Sequence, residues 1–462
     1  MSLAPPTRLL ADPPFSSLAD YVGAGGGAAL RRVEENTPAD IIEELTIAGL
    51  RGRGGAGFPT GRKWQSILAG GGQHHYVVCN AAEGEPGTFK DRALLRANPY
   101  QVLEGVIVAA RTVGAFEAFV ALKASFLPEL ERVGTALAEI EEAGWLADLE
   151  LRIVTGPEEY LFGEEKALLE VIEGNDPLPR WLPPYLHGLF ATAPQLGWQA
   201  HELEGGHRGE HVANPTLVNN AETLAQAAWI LANGADAFRA LGTEGSPGTV
   251  ICTVVGDVSR PGVLEVPMGT RLGDVIGRRG GPLPGRRVKA IFPGVAGAVL
   301  TGDAIDLPLT HEDMEAAGSA LGAGGFMVYD DSACMVEVVT TLSRFLYVES
   351  CGQCLPCKLG TGDITAALES IRDGQGSDRE LDLITERLRI VADANRCYLP
   401  VQEQNLVSSV LRSFPEDIAS HLAGRCMSSR SHIPIPKILD MADGAVVYDE
   451  AQERKQPDWT YR

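Results

Sequence analysis

The chain has few positive charges and no long hydrophobic run. Across its 462 residues, 39 Lys and Arg face 61 Asp and Glu, a formal net charge of −22. Such an excess of acid disfavours non-specific binding to nucleic acid or to anionic lipid. It favours a freely soluble chain or a basic protein partner. No apolar stretch approaches the roughly 18 residues that a membrane span requires. The first residues, Met1 to Pro14, are mixed and proline-rich and carry no basic-then-apolar export signal. The expectation is a soluble, cytoplasmic protein without direct membrane insertion. Its length is ample for about three domains. Also lacking is any pairing of His with a carboxylate and a nucleophile, so acid–base or covalent catalysis has no candidate.

Eight cysteines are present, and without an export signal they are expected to stay reduced. Three form Cys351-Gly352-Gln353-Cys354-Leu355-Pro356-Cys357, a C-x2-C-x2-C run like the one that opens a bacterial ferredoxin site. A ferredoxin has a fourth cysteine close by, and here the run continues Lys358-Leu359. A remote ligand is needed, and Cys397 is the choice, because the helical stretch Glu380 to Ala394 before it could pack back on the helix after Cys357. Four thiolates suit a [4Fe–4S] cubane. Zinc is the rival, and three free thiols the bland alternative. Cys79, Cys252 and Cys334 read as buried core thiols. Cys426 lies in a Ser-rich turn and has no readable role.

Glycine is plentiful and clustered. Thr37-Pro38-Ala39-Asp40 reads as a capped helix start, and the helix runs to Leu50. Arg51-Gly52-Arg53-Gly54-Gly55-Ala56-Gly57-Phe58-Pro59 follows. A helix before it and a loop after it do not fit a dinucleotide fingerprint, which needs a strand first. The expectation is a fixed glycine loop offering bare N–H groups to a phosphate or flat ring, with Arg53 and Lys63 adding charge. Between residues 74 and 173 short apolar runs alternate with helical patterns, which predicts a parallel α/β sheet. Ligands bind beyond the carboxyl ends of such strands. Asn80 to Thr88 and Tyr160 to Glu165 fall there and bring Glu83, Glu85, Glu164 and Glu165. Four neighbouring acids need donors such as ribose hydroxyls or a carboxamide. Pro215 to Thr223 adds Asn219 and Asn220, whose amides can match a flavin edge or simply cap a helix.

Together these motifs resemble the NADH-oxidising FMN and iron–sulfur flavoprotein subunit of bacterial respiratory complex I and the flavin chains of NAD-dependent formate dehydrogenases and hydrogenases. The likeness covers about residues 35–425 and rests on GRGGAGFPTGRKW, CNAAEGEPGTFKDR, GEEKALL, PTLVNNAETL and ESCGQCLPCK. It implies an α/β multidomain chain. Residues 1–240 would form a Rossmann-like FMN and nucleotide domain, 245–330 a β-grasp (ubiquitin-like, SLBB) domain, 332–425 a helical bundle with an iron–sulfur cluster, and 426–462 an extension. That tail reads as loosely packed or as a partner-binding strap.

The resemblance further implies that Gly52, Arg53, Gly54 and Lys63 hold the FMN phosphate and ring. Asn80, Glu83, Asn219, Asn220 and Thr223 would line the flavin. Tyr160, Gly163, Glu164 and Glu165 would lie beside flavin and NAD(H), Glu85 would shape the nucleotide pocket, and Tyr185 would stack the adenine. Cys351, Cys354, Cys357 and Cys397 would ligate the cluster. Hydride would pass between NAD(H) and FMN, and single electrons between FMN and [4Fe–4S]. Partners would be further iron–sulfur subunits, including a thioredoxin-like ferredoxin chain.

Several positions depart from the family pattern. Ala82 replaces an Asp, Leu182 a Lys and Lys166 a Thr, and Tyr398-Leu399-Pro400-Val401 replaces a glycine-containing turn. Residues 195–213 look inserted and hold His201, His207 and His211, a polar loop or, less simply, a metal site. These changes leave open an alternative, an electron relay that has lost NAD binding.

Overall fold

The computed structural model describes residues 8–72, 74–192, 212–426, 428, 430, 432–442 and 444–461. The three histidines of the inserted segment, and so the metal reading attached to them, lie outside the described residues. The chain divides into two compact units. The first comprises Met1–Glu83, Lys90–Ile251 and Glu265–Met268, and the second Gly84–Phe89, Cys252–Leu264 and Gly269–Arg462.

The first unit is built on four parallel strands: β1 (Tyr76–Asn80), β2 (Glu117–Lys123), β3 (Glu150–Gly156) and β4 (Thr216–Asn220), in the order β3-β2-β1-β4. β1 and β2 are almost wholly buried and read as continuous apolar runs, as strands covered on both faces must. The helix Pro99–Val113 starts on an Asn98 cap with proline in its first turn and stops at Gly114, which takes the left-handed conformation. Tyr76, Val78, Phe119, Phe162, Leu168 and Leu189 pack one core cluster. Ala82 belongs to it, so the side chain at this departure from the family pattern is turned into the core rather than toward a ligand. The chain moves outward from β1 to β2 to β3, then crosses back to lay β4 on the other side of β1. The switch point therefore lies between the carboxyl ends of β1 and β4.

The second unit contains most of a five-stranded mixed sheet of β5 (Thr249–Gly256), β6 (Gly262–Pro267), β7 (Val288–Pro293), β8 (Leu300–Thr301) and β9 (Gly325–Asp330), ordered β6-β5-β9-β7-β8. The helix Leu272–Arg278 follows the first two strands, and β9 enters the centre parallel to β5. This is the β-grasp order. β9 is buried along its whole length, and no sequence reading anticipated it.

The remainder of the second unit is helical: Met335–Glu349, Leu355–Arg372, Asp378–Ile390, Leu399–Ser413 and Pro415–Leu422, packed on one another. The expectation of a loosely packed tail is wrong. After a hairpin of β10 (Ile438–Ala442) and β11 (Ala445–Tyr448), Lys455 reaches Glu349 at 2.9 and 3.1 Å, both side chains fully buried. Trp459 Nε1 donates to the Val348 carbonyl, and Lys358 Nζ donates to that of Pro457. A buried ion pair anchors the tail because either charge alone would be left desolvated. Among the described residues no helix is long and apolar enough to cross a membrane.

Candidate functional site

In the first unit the glycine loop is closed as a rigid hairpin. Arg51 bridges to Pro59, Gly52 N donates to the Phe58 carbonyl at 2.9 Å, and Arg51 Nε donates to the Gly57 carbonyl at 2.7 Å. A helix, Thr60–Leu68, follows it, not the expected loop. The helix presents Lys63 outward and buries Trp64, whose indole N–H donates to Asn219 Oδ1 at 2.8 Å. A Cβ on Gly54 would stand 3.1 Å from that of Asn220, so a side chain there would crowd the strand end that the loop touches. At Gly55 (φ 131°) nothing lies within 4 Å of the corresponding position. The result is a strip of exposed main chain at the switch point.

The strand-end residues hold this strip in place. β1 and β4 run in register, so Asn80 stands beside Asn220. Asn80 Nδ2 donates to the Gly163 carbonyl at 2.7 Å, and its Oδ1 accepts from Ala82 N. Gly163 is tight for the same reason, since a Cβ there would stand 3.0 Å from the Ala82 carbonyl. Asn220 caps the helix Ala221–Asn233 through Glu222 N, donates to Asp91 Oδ2 at 2.6 Å and accepts from Lys90 Nζ at 3.1 Å. Lys90 also pairs with Asp91 at 2.7 Å and Glu222 at 2.9 Å, all three buried. Glu222 Oε1 accepts from Ile251 N. Lys90, Asp91 and Glu222 were missed by sequence reasoning. Adjacent opposite charges beside a phenylalanine were the available signal, but charged residues are by default expected at the surface.

Arg53 is placed differently from its expected role. Its guanidinium is buried and donates to the carbonyls of Arg51, Pro247 and Thr249, while its backbone N–H donates to Thr223 Oγ1 at 2.8 Å. A cation enclosed by carbonyls supports the loop and is not presented to a phosphate. Thr223, also buried, serves the same loop. Lys63 keeps its charge near solvent, 3.0 Å from Glu165.

The acids fall into separate settings. Glu83 accepts from the backbone N–H groups of Asp91 and Arg92, at the start of the helix Lys90–Ala97. Burial and the nearby Asp91 carboxylate push its carboxyl up to about 8. Glu164 caps the helix Glu165–Ile172, its Oε2 accepting from Lys166 N and Ala167 N at 3.0 Å each. Burial raises it to about 7, against the opposing pull of Lys166. Glu85 belongs to the second unit, where its Oε1 accepts from Val295 N at 2.9 Å, so it is tied to the turn after β7. Tyr160 sits half-buried in the turn Tyr160–Gly163. Tyr185 is exposed on a loop that Arg180 ties down through Glu170, Glu173 and the Gly188 carbonyl.

In the second unit, Gly352 takes φ 81°, which lets the chain turn between Cys351 and Cys354. Cys354 is the N-cap of Leu355–Arg372, and Cys357 lies in its first turn. Ser350 Oγ is 3.2 Å from Cys357 Sγ, and the thiol is raised to about 11 by burial. Cys351 and Cys354 are close enough to act electrostatically on Cys357. Cys397 lies two residues before Leu399–Ser413, whose helix packs against Met335–Glu349 and Leu355–Arg372. Helix N-termini favour anionic groups, which suits thiolates around a cluster. Among the described residues, the Cys, His or carboxylate trio within 4.8 Å of one another is a different one, Cys334, His421 and Cys426. Three cysteines in a C-x2-C-x2-C run with a fourth supplied from a remote position suit a cubane, where each thiolate takes a separate iron. The bare glycine strip likewise fits a flavin nucleotide, which needs main-chain donors and a flat approach.

Comparison with known proteins agrees with both halves of this geometry. Residues 45–229 match the Nuo51 FMN-binding domain, 251–294 the SLBB domain, and 337–421 the NADH-ubiquinone oxidoreductase-F iron–sulfur binding region. The chain is 36% identical over 421 residues to the second F-type subunit of the NADH-quinone oxidoreductase of Rhizobium meliloti (strain 1021), covering 88% of this chain and 95% of the relative. It is 33% identical over 416 residues to the NADP-reducing hydrogenase subunit HndC of Solidesulfovibrio fructosivorans, covering 88% and 81%. Among solved structures it superposes on a NAD+-reducing [NiFe]-hydrogenase in the H2-reduced state with TM-score 0.76 and 32% identity, over 91% of this chain and 69% of that one. The chain belongs to the family of F-type NADH-quinone oxidoreductase flavoproteins, which includes hydrogenase subunits, and carries that family's FMN-binding and [4Fe–4S]-binding regions.

Proposed function

We propose that this chain is the NADH dehydrogenase (diaphorase) subunit of a multi-subunit oxidoreductase such as complex I or a NAD-reducing hydrogenase. FMN would lie along Gly52, Gly54 and Gly55, over the strand ends that carry Asn80, Glu83, Asn219, Asn220 and Thr223. NAD(H) would be met by Tyr160, Gly163, Glu164, Glu165 and Tyr185, with Lys63 facing the same opening. Cys351, Cys354, Cys357 and Cys397 would hold the cubane. When bound, FMN would supply the two-electron acceptor for one hydride from NADH and pass its two electrons on singly, the unit in which a [4Fe–4S] cluster takes charge.

The protein's own contribution is positioning. The Lys90, Asp91, Asn220 and Glu222 web fixes the end of β4, and Arg53 fixes the loop, so main-chain N–H groups face the ligand without reorganising. Hydride transfer needs no protein acid or base. Glu164, raised by burial to about 7, is partly protonated near neutrality and can meet a nucleotide hydroxyl as donor or acceptor. The observation that carries this reading is the close approach of Gly54 to Asn220 at the β1/β4 switch point. Further iron–sulfur subunits, including a thioredoxin-like ferredoxin chain, would receive or supply the electrons. The chain would work in the cytoplasm and reach a membrane only through such partners.

The test is anaerobic. NADH added to purified holoprotein bleaches the flavin absorbance, and the cluster then gives a paramagnetic signal. A protein that holds FMN yet does not bleach refutes the nucleotide assignment. Cys397→Ser abolishes the cluster signal and leaves bleaching intact; an undiminished signal removes Cys397 from the ligand set.

A further inference from the structure

Cys334, His421 and Cys426 are not used by the flavin or the cubane. Cys334 is the N-cap of the helix Met335–Glu349, His421 lies in the last turn of Pro415–Leu422, and Cys426 follows four residues beyond that helix, at the root of the C-terminal extension. One ligand atom from each lies within 4.8 Å of the other two. Cys334 Sγ and His421 Nε2 are 3.1 Å apart. The other ring nitrogen, Nδ1, is 3.0 Å from the Arg372 carbonyl. A carbonyl only accepts, so Nδ1 carries the proton and the Nε2 lone pair points at the sulfur. This is the tautomer that a metal-bound imidazole needs, with the remaining N–H held by an outer carbonyl.

The surroundings are rigid. Asp417, one helical turn before His421, accepts from Met335 N at 2.9 Å and pairs with Lys289 at 2.7 Å, which locks the start of the Cys334 helix to the His421 helix. Cys334 and His421 are each 5% exposed, while Cys426 is exposed and gives a path of entry. A tetrahedral ion with bonds of about 2.3 Å to sulfur and 2.0 Å to nitrogen sets sulfur and nitrogen roughly 3.6 Å apart. The present 3.1 Å needs only a few tenths of an ångström of relaxation.

We propose that Cys334, His421 and Cys426 form a second metal site, distinct from the cluster cysteines, that binds one thiophilic divalent ion of the zinc class. The set of two thiolates and one imidazole leaves a fourth position for water or an external ligand. Binding releases the two thiol protons to solvent and changes no oxidation state. The ion would clamp the root of the tail onto the helical bundle.

The test uses anaerobically isolated full-length holoprotein given one equivalent of zinc chloride and then desalted. About one zinc per chain is retained, iron and flavin are unchanged, and zinc-edge X-ray absorption shows two sulfurs near 2.3 Å with one nitrogen and one light atom near about 2.0 Å. Cys426→Ser, a conservative change at an exposed position, and His421→Ala each lower retained zinc at least tenfold without loss of iron. Three results overturn the proposal: wild-type protein that retains no zinc, variants that retain as much as wild type, or a four-sulfur shell, which would place the zinc on the cluster cysteines.

Discussion

Lys90→Met tests the central structural claim, that the strand-end web fixes the flavin loop. The Lys90 ammonium is enclosed, 2.7 Å from Asp91 and 2.9 Å from Glu222, and Glu222 is fully buried. Replacing the lysine with an apolar side chain of similar length leaves two carboxylates without their cation. Arg53 Nε, 4.0 Å from Glu222 and already committed to carbonyl oxygens, compensates only in part. Breaking one side of a buried pair costs roughly 3–5 kcal/mol. For a unit of this size each kcal/mol is worth about 2–4 °C in Tm, so the flavin-binding transition falls by about 6–20 °C. The assay is calorimetry on the full chain, with flavin release followed by fluorescence to assign the transition. The pH response identifies the cause. In the variant, Glu222 is stabilised by taking up a proton, so the deficit shrinks as pH is lowered. Lys90→Met with Glu222→Gln costs less than the two single changes added together, by about 0.5–3 kcal/mol. A loss below about 1 kcal/mol that does not vary with pH refutes the reasoning.

Other outcomes follow from the same geometry. Gly54→Val drives a side chain into Asn220 and lowers FMN affinity at least tenfold, as flavin titration of the deflavinated protein measures. Lys455→Met strands Glu349 inside the helical bundle, costs roughly 3–5 kcal/mol and accelerates proteolysis of the tail. Glu403, fully buried with one oxygen accepting from Ser343 and the other unpartnered, is pushed up to about 8 by burial. Its native form therefore holds a proton that the unfolded chain releases above the ordinary carboxyl range. The resulting contribution is present at low pH and is lost as pH rises from about 4.5 to about 8. Glu403→Gln removes that loss, so its Tm matches the parent near pH 5 and exceeds it at pH 8.5, by the equivalent of roughly 3–5 kcal/mol at most.

The sequence alone determined the chemistry and the order of parts. Cysteine spacing is local, so C-x2-C-x2-C announced a thiolate site before any fold was known. The Thr37 capping box and the Asn98-Pro99 helix start were legible because a cap is satisfied within four residues. The glycine loop was recognisable as a fixed shape from its interleaved Phe, Pro and Trp. Tertiary structure decided what depends on residues far apart in the chain. Arg53 looked like a phosphate ligand until the carbonyls of Pro247 and Thr249, almost 200 positions on, were seen to enclose it. Asn220 was readable as a cap, but its partners Lys90 and Asp91 lie some 130 positions earlier. The anchoring of the tail through Lys455 and the meeting of Cys334 with His421 and Cys426 were equally invisible. Charge and thiol chemistry are properties of single residues, whereas the environment that directs them toward a ligand, a carbonyl or one another exists only once distant segments pack.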